Sequence, residues 1–290
     1  MEKRRVSIFG NFYQGLHLPA LSSFIINLSN SGFEVMIEES FASYLREKRS
    51  FPHGDCHTFE EYDGRSEAVI SVGGDGTFLR TARAVGEYAT PILGLNTGHL
   101  GFLSHSTLHE AADVVESLLE QNYRIEERML LEVSGEGLPD DVWPFALNEV
   151  AILKEETASM INASITLNGH FLADYLADGV VISTPTGSTA YNLAAGGPLL
   201  QPTLSCMAIS PIAPHTLTMR PMVVESSSEI TAITTSRSHH YRVSLDGDSF
   251  RMVSGSNISI RKADFCVRII LRPEDNFAAS LRNKLLWGRR

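Results

Sequence analysis

The chain has little that would tie it to a structural metal, a membrane or a nucleic acid. Its three cysteines, Cys56, Cys206 and Cys266, are far apart, and no Cys-x-x-Cys pair exists, so the usual structural zinc signature is missing. An odd count with no tight spacing fits a reducing compartment better than a disulfide framework. No uninterrupted apolar stretch approaches the roughly 18 residues of a membrane helix. The start, Met1-Glu2-Lys3-Arg4-Arg5-Val6, is basic but lacks the apolar run of a signal peptide. A cytoplasmic protein is the expectation. Excess positive charge is absent too: the formal net charge is -10. A phosphate backbone repels such a chain, which argues against a nucleic-acid partner. A small anionic ligand is compatible, because backbone N–H groups and a few local cations bind it whatever the net charge. Internal repeats and low-complexity tracts are also lacking.

What is present is ordinary globular material. The 290 residues are 43% hydrophobic and 20% charged, enough for one large core or two modest ones. The first third alternates apolar runs with helix-like segments. Val6–Phe9, Phe33–Ile37, Ala68–Val72 and Ile92–Leu95 read as strands. Leu16–Ser29, Thr77–Val85 and Leu108–Glu120 read as helices. That alternation implies a parallel sheet covered by helices. Near Arg128 the pattern changes to strands separated by turn residues: Leu130–Ser134, Asn148–Leu153, Ser164–Leu167, Val180–Ser183, Met222–Val224, Ile230–Thr234, Tyr241–Leu245, Ile258–Arg261 and Cys266–Leu271. The expected fold class is therefore α/β plus all-β. Residues 1–128 form a nucleotide-binding domain and 129–272 a β-rich one. The amphipathic tail, within 273–290, packs back on the first.

The strand ending at Val72 runs into Gly73-Gly74-Asp75-Gly76-Thr77 and then a helix. Such a turn sits at the carboxyl edge of a parallel sheet, where α/β ligand sites form. Glycine lets the backbone approach a phosphate closely, and the helix start supplies N–H groups and a positive dipole end. Gly73, Gly74, Gly76 and Thr77 are the phosphate-binding candidates. Asp75 is out of place beside phosphate unless it is a general base for a hydroxyl or a partner of a phosphate-bound metal. The bland alternative is a tight turn with Asp75 capping the helix. Neither the P-loop nor the GxGxxG spacing is present. Arg80, one turn into the helix, can reach a phosphate or be a solvated charge.

A second polar stretch, Asp178 to Pro198, contains Ser183-Thr184-Pro185-Thr186-Gly187-Ser188-Thr189-Ala190-Tyr191-Asn192. Its hydroxyls and backbone donors suit a nucleoside with phosphates, and Tyr191 offers a ring to a base. An elaborate structural loop is the competing reading. Asn148-Glu149 can read an adenine edge and ribose hydroxyls, or be a plain strand-edge turn. Asn96-Thr97-Gly98-His99-Leu100-Gly101-Phe102-Leu103 follows the fourth strand, and Phe102 lines a pocket or joins the core.

Together, GGDGTFLR (Gly73–Arg80), NTGHLGFL (Asn96–Leu103), Asn148-Glu149 and DGVVISTPTGSTAYNLAAGGPLL (Asp178–Leu200) resemble the NAD kinase family, in order and spacing across most of the chain. The resemblance implies a Rossmann-like N-terminal domain, a β-rich C-terminal domain with the active site between them, and a homo-oligomer. It implies transfer of the terminal phosphate of ATP to the 2′-hydroxyl of NAD's adenosine ribose, with magnesium accompanying ATP. Residue by residue, it implies Asp75 as general base with Gly76 beside it, and Arg80 as a ligand contact. Asn148 and Glu149 hold the adenosine moiety, and Asp178 is a further dinucleotide contact. Thr189, Ala190, Tyr191, Asn192, Leu193 and Ala194 pack on the ligand. Leu176 and Asp248 depart from residues some members carry, which leaves donor and dinucleotide preference open. Two rivals stand beside this reading: a lipid or sugar kinase sharing the GGDG-type loop, and a non-catalytic nucleotide sensor.

Overall fold

The computed structural model describes residues 3–12, 15–52, 55–98, 101–155 and 159–288. His99 and Leu100 of the NTGHLGFL segment lie outside them. The chain divides into two compact units, Met1–Glu127 with Val267–Arg290, and Arg128–Cys266.

In the first unit five strands run parallel: β1 (Arg5–Gly10), β2 (Glu34–Glu38), β3 (Cys56–Phe59), β4 (Ala68–Val72) and β5 (Ile92–Asn96). Their order is β5-β4-β1-β2-β3. Every residue of β4 and β5 is buried, the signature of strands covered on both faces. The helices α1 (Leu18–Asn30), α2 (Glu39–Glu47) and α3 (Asp75–Val85) connect them, and α4 (Ala111–Glu120) follows β5. α1 and α4 send Leu21, Ile25, Leu28, Val114 and Leu118 into the core that holds Val6, Ile8 and Ile70. Because β1 leads to β2 on one side and β3 returns to β4 on the other, the chain reverses direction across the sheet between β1 and β4. Ligand crevices of open α/β sheets form outside the carboxyl ends of the strands at such a point.

Two elements of this unit differ from expectation. β3 was not anticipated; it is a four-residue edge strand with no fully buried residue, so it carries no apolar signal. α2 was missed because a glutamate, Glu38, caps it by accepting from the N–H groups of Ser40 and Phe41, a role usually read from Ser, Thr, Asp or Asn. The tail forms a helix over Phe277–Lys284, and the Lys284 ammonium lies 4.9 Å from the Phe102 ring centroid.

The second unit is β-rich. One sheet runs antiparallel in the order Met222–Glu225, Cys206–Ile212, Gly179–Ser183, Glu149–Lys154, His240–Leu245, Asp248–Val253. A second layer pairs His170–Ala177, Ile161–Leu167, Ile230–Ser236 and the start of Asn257–Leu271. Val150, Ile152, Val180, Ile182 and Val243 from the first sheet meet Ile161, Ile165, Ile230 and Ile258 from the second in one core. The Cys206–Ile212 strand was missed because Pro211 reads as a breaker. It is accommodated because the Met222–Glu225 neighbour pairs only as far as Ile209. Ile258–Arg261 and Cys266–Leu271 are one continuous strand, Asn257–Leu271, which pairs in the second unit at its start and with β5 of the first at Ile269.

Candidate active site

In the first unit the chemistry gathers at the carboxyl ends of β1, β4 and β5. α3 begins at Asp75, two residues earlier than its apolar pattern suggests, with Gly74 as a cap that makes no side-chain bond. Asp75 does not cap its own helix. Its Oδ2 accepts the Phe102 N–H at 2.7 Å, and its Oδ1 accepts those of Leu103 and Ser104 at 3.0 and 3.3 Å. The Gly73–Arg80 segment and the end of the Asn96–Leu103 segment are thereby locked together, reinforced by Ser104 Oγ donating to the Gly73 carbonyl at 3.3 Å. Gly101 is required for this lock: a Cβ there would stand 1.8 Å from Asp75 Oδ1. Gly74 and Gly76, by contrast, face open space, where a Cβ would meet nothing within 4 Å. Packing does not demand glycine at those two positions, and a ligand has room to approach the N–H groups there. Arg80 is exposed. A pocket of about 250 Å³ beside it is lined by Gly10, Glu38, Glu60, Thr77 and Arg80, among others. Asn11, not singled out from sequence, donates its side-chain N–H to Thr77 Oγ1 at 3.3 Å.

In the second unit the register Ser183↔Glu149 places the Asn148-Glu149 turn against the start of the Thr-Ser-Gly loop. Thr184 joins them, donating its N–H to the Asn148 carbonyl at 2.9 Å and its hydroxyl to the Leu147 carbonyl at 2.6 Å. Gly187 lies so close that a Cβ would sit 2.1 Å from the Asn148 carbonyl oxygen. For the loop hydroxyls the sequence leaves two uses open, a ligand or the framework of the loop. Thr184, Thr186 and Ser188 are buried. Ser188 Oγ exchanges hydrogen bonds with Leu200, and Arg128 donates to Thr186 Oγ1 at 3.4 Å. Asn192 is fully buried; its amide donates to the Pro198 carbonyl at 3.0 Å and accepts from Ser210 Oγ at 2.7 Å. These side chains build the loop, because their polar groups need partners once buried. What the loop offers outward is Tyr191, 38% exposed, and Ala194, with Thr189, Ala190 and Leu193 partly buried.

Glu149 is 8% exposed, and its Oε2 is buried with no hydrogen-bond partner among the described residues. Burial, then the nearby Asp246 carboxylate, push its pKa up to about 8 against the N–H bond from Tyr191. Tyr191 thus meets Glu149 through its backbone. Asp246 accepts the N–H groups of Leu147, Asn148 and Glu149 at 2.7, 2.8 and 3.0 Å. Burial raises its own pKa to about 6 although those three N–H groups oppose the rise. Asp246 escaped the sequence reading. Its available signal was Asp-Gly between two alternating runs, which marks a hairpin turn.

Asp178 is not brought to this cluster. It precedes Gly179, at the opposite end of the strand from Ser183, roughly 16 Å along at a strand's rise per residue. There it accepts an ion pair from Lys154 at 2.7 Å.

Residues 25–123 match the model of the ATP-NAD kinase N-terminal domain and residues 147–271 that of the C-terminal domain. Among curated relatives, NAD kinases of Bacteroides fragilis and Porphyromonas gingivalis are 39% and 40% identical, each match covering 98% of both chains. A yeast NADH kinase solved with NADH shares the fold at a TM-score of 0.87 and 24% identity, covering 99% of this chain and 89% of that one. An Archaeoglobus fulgidus NAD kinase solved with ATP matches at 0.72 and 25%, covering 98% and 97%. With both domain models matched in order, and with such relatives over nearly its whole length, the chain belongs to the NAD kinase family.

Proposed function

We propose that this chain transfers the terminal phosphate of ATP to the 2′-hydroxyl of NAD's adenosine ribose, giving NADP and ADP, with Asp75 as the general base. The observation that carries the base role is the fixing of Asp75 by three backbone N–H groups from Phe102–Ser104, away from its own helix and beside the bare Gly74 and Gly76. Oδ2 carries one of those bonds and keeps capacity to accept the proton of a hydroxyl. A ribose hydroxyl is a poor nucleophile, and a positioned carboxylate accepts its proton late in transfer. The loose transition state of phosphoryl transfer otherwise asks for positioning and charge neutralisation.

The N–H groups of Gly74 and Gly76 at the start of α3 face the phosphates, and Arg80 adds a cation; those of Gly73 and Thr77, expected to do the same, are instead donated to the Leu95 and Gly74 carbonyls at 2.9 Å, so these two residues shape the turn. Magnesium enters with ATP as part of the donor substrate. Among the described residues no group of three or more His, Cys, Asp or Glu side chains converges as a metal site. Asn148 and the buried Glu149 carboxyl hold the dinucleotide, and Tyr191 supplies the exposed ring. Asp178 is assigned to the dinucleotide on the family resemblance. The same resemblance supports a homo-oligomer working in the cytoplasm; light scattering of the purified protein reads its mass directly. Among the described residues no helix is long and apolar enough to cross a membrane.

The test is incubation of the protein with NAD, ATP and magnesium, followed by detection of NADP. In Asp75→Asn, NAD affinity is expected to stay within a few-fold while turnover falls on the order of 100-fold or more. Near-normal turnover in that variant would sink the base assignment. Phosphorylation of a lipid or a sugar but not NAD, in a labelled-ATP panel, would overturn the substrate.

A further inference from the structure

We propose that Asp246 is a positioning residue for the dinucleotide: its carboxylate fixes the backbone turn that presents Asn148 and Glu149. The inference rests on the reading that those two residues hold NAD. Leu245 pairs with Asp248, which leaves Asp246 and Gly247 as a two-residue hairpin loop with φ of 51° and 97°. Positive φ at both positions is the type I′ geometry. The backbone alone satisfies the turn, and the Asp246 side chain is not needed to close it.

That side chain instead reaches a segment 97 to 99 residues away and accepts the N–H groups of Leu147, Asn148 and Glu149 in succession. The Asp246 N–H donates in turn to the Glu149 carbonyl at 3.1 Å. From the other edge, Thr184 holds the carbonyls of Leu147 and Asn148. The peptide groups of the turn are therefore held on both sides, and the ligand-facing side chains inherit a fixed origin.

The choice of aspartate is informative. Asparagine suits a type I′ turn equally well and would bring no charge beside the buried Glu149 carboxyl. Only a carboxylate supplies two acceptor oxygens for three donors. The structure thus tolerates two neighbouring carboxyl groups in order to hold this turn.

The variants follow from the turn. Asp246→Gly keeps the positive φ and removes both acceptors. Asp246→Asn also keeps it, retains one oxygen for Asn148 and Glu149, and sets an NH₂ against the Leu147 N–H. KM for NAD is expected to rise about tenfold or more in Asp246→Gly and less in Asp246→Asn, with KM for ATP within about twofold. Combined with Asn148→Ala, Asp246→Gly should add little beyond the larger single effect, because both act through one turn. A parallel rise of both KM values, which general loosening would produce, overturns the proposal. So does a wild-type KM for NAD in Asp246→Asn, the variant that also decides the matter if Asp246→Gly does not fold. An unchanged KM for NAD in Asn148→Ala alone overturns the dinucleotide assignment, and this inference with it. That failure is recognisable because it arises with Asp246 intact.

Discussion

Replacing Gly101 with alanine moves Asp75 without deleting it. The backbone of Gly101 lies outside the left-handed region, so alanine brings no conformational strain of its own. Its Cβ, however, would stand 1.8 Å from Asp75 Oδ1 and 2.3 Å from Cγ, where ordinary contact begins at 3.4 Å. Something must give by more than about 1 Å, and the neighbours are the carboxylate and the loop that holds it. A misplacement of that size costs catalysis roughly 100-fold, or about 2.7 kcal/mol of barrier. The expected result for Gly101→Ala is a kcat lowered about 100-fold with KM for NAD within a few-fold. Loss of N–H bonds to a charged group adds a stability loss of about 2 kcal/mol. Gly98→Ala is the control, since a Cβ there meets only Asn96 Oδ1, at 3.9 Å. NADP formation, read by an NADP-specific dehydrogenase, measures turnover, and thermal melting confirms the fold. A folded Gly101→Ala protein with kcat within about threefold of wild type would refute the idea that this loop places the base.

Gly187→Ala should act on the other ligand region. Its Cβ would lie 2.1 Å from the Asn148 carbonyl oxygen, so the expectation is a loss of about 2 kcal/mol or more of stability and a raised KM for NAD, read by denaturant melts and steady-state kinetics. Glu149 makes stability pH-dependent in the ligand-free protein. Its pKa is raised from 4.5 to about 8, so the folded state keeps a proton that the unfolded state has lost. The stabilising proton is fully present in both states below about pH 4.5, and stability then falls as pH rises towards about 8, by a few kcal/mol in all. Asp246, raised from 3.8 to about 6, adds a smaller fall over a lower window. Glu149→Gln should flatten the decline in urea melts between about pH 5 and 8; an unchanged slope would mean that Glu149 is ionised when folded.

Much of the frame was legible because burial leaves a periodic trace. Ala68–Val72 is buried throughout and apolar but for Ser71, since helices cover both faces, and the glycines after Val72 mark where the chain must turn. Elements with little burial left no such trace, as in the edge strand Cys56–Phe59. The Asn257–Leu271 strand looked like two because Arg261, Lys262 and Asp264 turn outward around buried Ala263 in its middle.

The glycine–aspartate loop stood out from its residues alone, since a carboxylate among glycines after a strand has few structural uses, whereas the Asn148-Glu149 pair read by itself as a plain strand-edge turn and was singled out only by the family resemblance. What holds each of them could not be read from the sequence. Asp75 finds its donors 27 to 29 residues away, and Asp246 reaches donors almost a hundred positions earlier. Those meetings are set by which strands pair and in what register, and no local pattern encodes a partner across that distance. The Thr186–Asn192 segment shows the same division. Its composition fitted a ligand loop or a structural one, and only the fold decided that the side chains of Thr186, Ser188 and Asn192 are spent on the loop and the strands beside it, because a buried hydroxyl or amide must find a partner within the protein.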